Sequence, residues 1–309
     1  AAAVRLLHAG TQVTGVEYVD RTGARQTATA DAYLLTASAI ESARLCLLSD
    51  PDGAGLGNAS DQVGRNLMFY LQTLVSGFLP QRVHGQRGRA LSHGMSDFRG
   101  VERGGTEVRV VDVGAGPQAF MGGICEFSAS QGLPITEDGF VYALRLQPFA
   151  YRFGAKLKNA LRDQALGQHL VTLVMQAEDA PQQTNRVDLD TRYRDVYGSP
   201  IARITYANHA YEKQARAFYI PHMKAVLARL DGLDPANIFA APCNPIFIGP
   251  PDSRHIMGTL RMGTDPATSV TNAGGRFHEL ENLFACAGSV FPTSSGYNPT
   301  LTIITLALR

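Results

Sequence analysis

The stretch from Gly296 to Leu308 constrains this chain more than any other, because an asparagine, a proline and a threonine open a mostly apolar run. Asn298 is a preferred helix N-cap, and Pro299 suits the first helical position because its missing N–H would lack a partner there. Leu301 to Leu308 then supply the body of a helix. Thr302, Ile303, Ile304 and Thr305 are β-branched and would also suit a strand; the capping signals favour the helix. Such an N-terminus offers free backbone N–H groups and the positive end of a dipole, a setting for an anion.

His255 precedes this element in the same tail, and its near-neutral pKa makes it the natural acceptor for the proton of a substrate hydroxyl. Removing that proton while a hydride leaves the carbon turns an alcohol into a carbonyl. Imidazole can take the proton, but no side chain can take the hydride, so the chemistry requires a cofactor. The neutral Asn298 amide could hold the substrate oxygen without competing for the proton. Judged by themselves, a single histidine is as readily a packed or surface residue, and Asn-Pro is often only a turn.

The residues before the tail read as two further regions. Val13 to Val19, a turn at Arg21-Thr22-Gly23 and a return through Gln26 to Ala30 predict a hairpin; Asp31 to Ala37 predicts a buried strand, and Ser38 to Ser49 a helix. Between about residues 67 and 254, Leu74–Leu79, Glu107–Val113, Phe140–Leu146, Leu170–Gln176, Val187–Leu189 and Ile201–Tyr206 predict six strands of one broad, largely antiparallel sheet, able to offer one face to a ligand. Tyr211 to Leu230 has helical spacing, broken at Pro221 and ended by Gly232. Gln147, Asn185, His209, Asn244 and Asp252 could contact a polyol or simply lie on the surface.

Taken together, His255-Ile256-Met257-Gly258-Thr259-Leu260-Arg261-Met262-Gly263, Asn282-Leu283-Phe284, Ser289-Val290-Phe291-Pro292 and Asn298-Pro299-Thr300-Leu301-Thr302 resemble the C-terminal region of the glucose–methanol–choline (GMC) oxidoreductases, in order and in spacing. The resemblance is greatest to the branch that oxidises sugars, including pyranose oxidases and glycoside 3-oxidases. It implies FAD, a catalytic pair formed by His255 and Asn298, and hydride transfer to the flavin N5 atom. It also implies cofactor-binding roles for Ala37, Ser38 and Ala39, where the family usually has a glycine in place of Ser38, and for Ser289, Asn298, Pro299 and Thr300. Val63-Gly64-Arg65-Asn66-Leu67-Met68 is a second match. The family usually continues to a histidine near Tyr70, and no role is assigned to that tyrosine.

The expected organisation is α/β plus α+β: residues 1–66 as part of an FAD-binding, Rossmann-like domain, 67–254 as a substrate domain built on the antiparallel sheet, and 255–309 returning to the FAD-binding domain with the catalytic pair. The family's opening G-x-G-x-x-G turn is not found at Ala1. Val113-Gly114-Ala115-Gly116 imitates it, but Gly122 and Gly123 interrupt any following helix, so a strand-turn is expected there. The chain thus begins within what resembles the middle of the flavin domain, which implies a preceding segment of the same protein or a partner subunit.

With 45% hydrophobic and 18% charged residues, a substantial core and large buried interfaces are expected. A net charge of +1 with no basic run excludes nucleic acid as an expected partner, and no apolar stretch is long enough to span a membrane. Cys46, Cys125, Cys243 and Cys286 match no zinc spacing or dense disulfide framework, which favours reduced thiols and a cytoplasmic location. His255 with His278 matches no metal-ligand motif. The expected activity is FAD-dependent oxidation of a secondary hydroxyl of a sugar or glycoside; the alternative is a non-catalytic scaffold that retains the fold.

Overall fold

In the computed structural model the described residues are 1–50, 54–84, 91–97, 110–112, 117–119, 122–128, 154–155, 158, 169–242 and 255–309. Three strands open the chain, β1 (Ala2–Ala9), β2 (Gln12–Val19) and β3 (Arg25–Ala28), paired antiparallel in that order. The hairpin expected from Val13 is therefore real and gains β1 as a neighbour. β4 (Tyr33–Leu35) follows, then α1 (Ala39–Leu48), whose N-terminus is capped by Ser38 Oγ accepting from the Glu41 N–H. Tyr33 and Leu35 are buried but Leu34 is 57% exposed, so β4 is buried on one side only.

The second unit is a five-stranded sheet in the order β13-β5-β10-β9-β6, antiparallel throughout, built from β5 (Leu71–Phe78), β6 (Leu91–Met95), β9 (Gly123–Ser128), β10 (Leu170–Ala177) and β13 (Phe239–Pro242). Alternation along β10 sets its two faces. Val171, Leu173, Met175 and Ala177 join Leu71, Val75 and Cys125 in a core closed by Ala215, Tyr219, Met223 and Leu227 of α2 (Ala210–Leu227). The opposite face carries polar side chains, Thr172 bonded to Ser76 at 2.8 Å and Gln176 bonded to Glu126 at 2.5 Å. Met223 and Leu173 are fully buried, so truncating either to alanine would cost about 2–5 kcal/mol.

Two expectations are corrected. The strands read at Val187–Leu189 and Ile201–Tyr206 do not join the broad sheet but form a separate hairpin, β11 (Arg186–Arg194) with β12 (Pro200–Thr205), which lies against α1. Local alternation identifies a strand but not the sheet it joins. The long helix is not broken at Pro221, which lies inside α2; it begins one residue early behind a capping box, His209 with Glu212, and ends at Leu227, before Gly232. No helix follows Gly122 and Gly123, as expected; the segment 123–128 is β9. β7 (Val110–Asp112) and β8 (Pro117–Ala119) pair antiparallel on either side of positions 113–116, where a dinucleotide loop would lead from a strand into a helix. The strand expected at 140–146 and the rest of 107–113 lie outside the described residues.

The tail returns to the first unit. β14 (Leu283–Ala285) pairs parallel with β4, a short 3-10 helix spans Gly288–Val290, and α3 (Thr300–Ala307) closes the described chain. A core of Leu6, Val13, Tyr33, Leu35, Ala43, Phe277, Leu283 and Val290 gathers β1, β2, α1 and this tail into one body.

Candidate active site

Backbone pairing fixes where His255 sits. Met257 and Met68 exchange N–H···O bonds at 2.9 and 3.0 Å, and the Gly258 N–H donates to the Gly288 carbonyl at 3.0 Å. His255 thus leads a segment clamped between residues 67–70, through the Met68–Met257 bridge, and the 3-10 helix. Gly258 has φ +79°, and a Cβ there would lie 1.9 Å from the Asn66 carbonyl oxygen, so only glycine fits. Met68, Tyr70 and Met257 form a small buried cluster under the histidine.

Tyr70 is the residue that joins the parts. Its ring lies 4.8 Å from the His255 ring, centroid to centroid, at 59°, and its hydroxyl donates to the Tyr297 carbonyl, immediately before Asn298. Burial raises the Tyr70 pKa, so the phenol stays a donor. The approach to Asn298 is tight as well. Gly296 (φ +68°) donates no side chain because a Cβ would lie 2.9 Å from the Gln176 and Gly122 carbonyls, and its own carbonyl accepts from the Ile124 N–H at 3.3 Å. The end of the five-stranded sheet therefore abuts the segment that presents Asn298.

Burial lowers the pKa of His255, with the negative charge of Glu126 partly opposing it. The imidazole is therefore neutral near pH 7, the form that accepts a proton. Glu126 is oriented by the Gln176 amide at 2.5 Å.

Four of the expected cofactor residues, Ala37, Ser38, Ala39 and Ser289, fall at one end of the parallel pair. β4 runs into Ala37-Ser38-Ala39, and β14 runs into Ala287-Gly288-Ser289, with α1 packed on the 3-10 helix. Carboxyl ends of parallel strands are where ligands of open α/β sheets bind. Ala37 and Ser38 are exposed, whereas Ala39 is buried and its carbonyl accepts from Thr259 Oγ1 at 2.7 Å. Ser289 Oγ is fully buried without a hydrogen-bond partner, and its carbonyl accepts from the Leu260 N–H at 2.9 Å. An unpaired hydroxyl at this position suits a polar cofactor group, so the residues present fit a flavin.

Asn298 does not cap α3. Pro299 occupies that position and makes no side-chain capping bond, which leaves the exposed Asn298 amide for other work; Thr300 is the first helical residue and is exposed, and Pro299 is buried. The helix itself is as expected. Asn185 and His209 are occupied by backbone: Asn185 bonds the Ala207 N–H and carbonyl, and His209 Nδ1 caps α2 by accepting from the Tyr211 N–H. Gln147, Asn244, Asp252 and Cys243 lie outside the described residues. Cys46, Cys125 and Cys286 are unbridged, and burial pushes the first two thiols up to about 12. Among the described residues no His, Cys, Asp and Glu cluster could hold a metal ion, and no helix is long and apolar enough to cross a membrane.

Tyr70, Glu126 and Gln176 were not identified from the sequence. Only for Tyr70 was there a signal, its place where the family carries a histidine.

Through Tyr70 the histidine segment and the asparagine segment are joined in one place. Residues 181–307 match the GMC oxidoreductase family, whose members depend on FAD. It is similar to the 2-methyl-1,2-propanediol dehydrogenase of Mycolicibacterium austroafricanum, 30% identical over 303 residues, covering 96% of this chain and 50% of that protein. It is also similar to a C-glycoside 3-oxidase of Arthrobacter globiformis, 29% identical over 196 residues, 63% of this chain and 36% of that one. The crystal structure of pyridoxine 4-oxidase from Mesorbium loti shares the fold, with a TM-score of 0.62 at 18% identity, covering 99% of this chain and 55% of the other. The chain thus spans about half the length of the first of these relatives.

Proposed function

We propose that this chain carries the substrate side and the catalytic pair of an FAD-dependent alcohol oxidoreductase, acting on a secondary hydroxyl of a sugar or glycoside. The observation that carries the reading is Tyr70, which touches the His255 ring and bonds the carbonyl next to Asn298. Neutral His255 takes the hydroxyl proton on a ring nitrogen, and the Asn298 amide donates to the same oxygen and turns the carbinol C–H toward the acceptor. Ala37, Ser38, Ala39, Ser289, Asn298, Pro299 and Thr300 hold the cofactor, with the unpaired Ser289 hydroxyl as a polar contact. FAD, when bound, supplies the two-electron acceptor for the hydride.

In this reading residues 1–66 and 255–309 together form part of a Rossmann-like FAD-binding domain, and 67–254 form the substrate domain. The ADP part of FAD is held by a further segment of the same protein or by a partner subunit. Leu34, Leu301 and Leu308, exposed by 57, 75 and 84%, support this as apolar surface for such a segment to cover.

A general base is worth about 10²–10⁴ in rate. His255→Ala in the full-length, FAD-bound protein should slow flavin reduction by at least about 10²-fold in stopped flow, while the flavin absorbance stays with the protein. An unchanged reduction rate removes the base. A native preparation that is colourless and stays so with added FAD would identify a scaffold instead.

A further inference from the structure

We infer that Asp179 is a positioning residue that keeps the two halves of the catalytic pair in register, by clasping the segment of Tyr70 to the segment of Asn298. The inference rests on the reading of His255 and Asn298 given above. Asp179 follows β10 and is 1% exposed. Its Oδ2 accepts the Phe69 N–H at 2.5 Å, one residue before Tyr70. Its backbone grips Ser294 in both directions: the Asp179 N–H donates to Ser294 Oγ at 2.6 Å, and that hydroxyl donates to the Asp179 carbonyl at 2.9 Å. Four residues beyond Ser294 stands Asn298, and Tyr70 closes the ring by bonding the Tyr297 carbonyl. The contacts run from Asp179 through Phe69, Tyr70, Tyr297 and Ser294 back to Asp179, and the His255 ring lies on Tyr70.

The carboxyl has the surroundings of a neutral acid. Oδ2 accepts a second bond from the Tyr206 hydroxyl at 2.7 Å, while Oδ1 is buried with no hydrogen-bond partner; the carboxyl interacts with Glu212 of α2. Glu212 is itself engaged by the Ala180, His209 and Asn208 N–H groups at 2.5, 3.0 and 3.1 Å. Among the described residues, the other ionisable groups at this pocket are Glu178, which accepts from the Tyr211 hydroxyl, Tyr206 itself and Arg216 of α2, with Tyr70 in the adjoining segment. Burial first, and the charge of Glu212 second, raise the Asp179 pKa to about 9. Below that pH its O–H can point at Glu212. Above it, two negative charges share one buried space and the clasp loosens.

The test uses the native full-length protein with FAD. Amide exchange by mass spectrometry is followed in peptides covering 66–71 and 293–298, with the β1–β2 hairpin as internal reference. Flavin reduction by 1,2-propanediol and by methyl β-D-glucoside is followed from pH 6 to 10. Asp179→Ala should lower protection of both peptides about ten-fold or more and leave the reference unchanged. Asp179→Asn, which keeps the neutral shape, should restore most of that protection, give a higher kcat than Asp179→Ala, and lose the alkaline fall of kcat near pH 9. Native protection of both peptides in Asp179→Ala, or an unaltered alkaline limb in Asp179→Asn, overturns the inference. If Asp179→Ala does not fold, Ser294→Ala replaces it, and unchanged exchange in 293–298 is then the overturning result. Should neither alcohol reduce the native flavin, the functional reading fails, and the exchange data still decide the clasp.

Discussion

At the scale of single residues, the site is a set of ordinary side chains whose properties come from their neighbours. Burial favours the neutral form of His255, and Glu126 works against that by stabilising the imidazolium. Glu126→Gln removes the opposing charge, so the His255 pKa falls and the imidazole stays neutral to lower pH. The acid limb of the kcat/KM profile should then move to lower pH; a shift upward, or none, would separate Glu126 from the base. Tyr70→Phe keeps the ring on His255 and removes one hydrogen bond to the Tyr297 carbonyl, worth about 1 kcal/mol. We expect kcat to fall about five-fold with KM little changed. Equal steady-state constants for the variant and the native protein would leave Tyr70 as mere packing. Tyr70 and Glu126 escaped recognition in the sequence because neither belongs to a motif containing the residue it serves; each reaches His255 across a long stretch of chain.

At the scale of elements, the legible parts were those whose signals are local. The helix expected from Ser38 is α1, capped by that serine, and the apolar run after Pro299 is a helix, although the cap falls on Pro299 and Asn298 is left outside it. Alternation found β5, β10 and β12 but could not say that β11 and β12 leave the sheet, since strand partners are set by packing over long separations. β9 was concealed by its leading glycines, which are needed because Gly123 lies against the Gln176 carbonyl. Close approach has the same consequence at Gly258, where Ala would force a methyl group into the Asn66 carbonyl at a positive φ. Gly258→Ala should destabilise the protein by about 1–3 kcal/mol or more and displace His255. Thermal unfolding together with flavin reduction checks this, and a variant with native Tm and native rate would show that the clamp on His255 tolerates a side chain.

At the scale of the whole molecule, one apolar core lies between the five-stranded sheet and α2, and another lies around the parallel pair and α1. The catalytic candidates sit where the two bodies meet, and Asp179 is buried there. Its folded pKa of about 9 is raised above the ordinary 3.8, so its contribution to stability is fully present below pH 3.8 and is lost as pH rises through 9. The Tm of the full-length protein should accordingly decline between pH 6 and 10, and Asp179→Asn should flatten that decline. Identical slopes by calorimetry would mean that the acid is not held neutral in the folded state.

What the amino-acid order determined by itself is the chemistry on offer: an imidazole, a carboxamide before an apolar helix, and small residues after a strand, each readable because capping, periodicity and residue pKa act over a few positions. The tertiary structure alone decided how these meet. Tyr70 bridging His255 to the Asn298 segment, Glu126 opposing the histidine's desolvation, and Asp179 joining the two segments all depend on contacts between residues far apart in the chain. Burial and electrostatics act through space, so only the assembled fold assigns those partners.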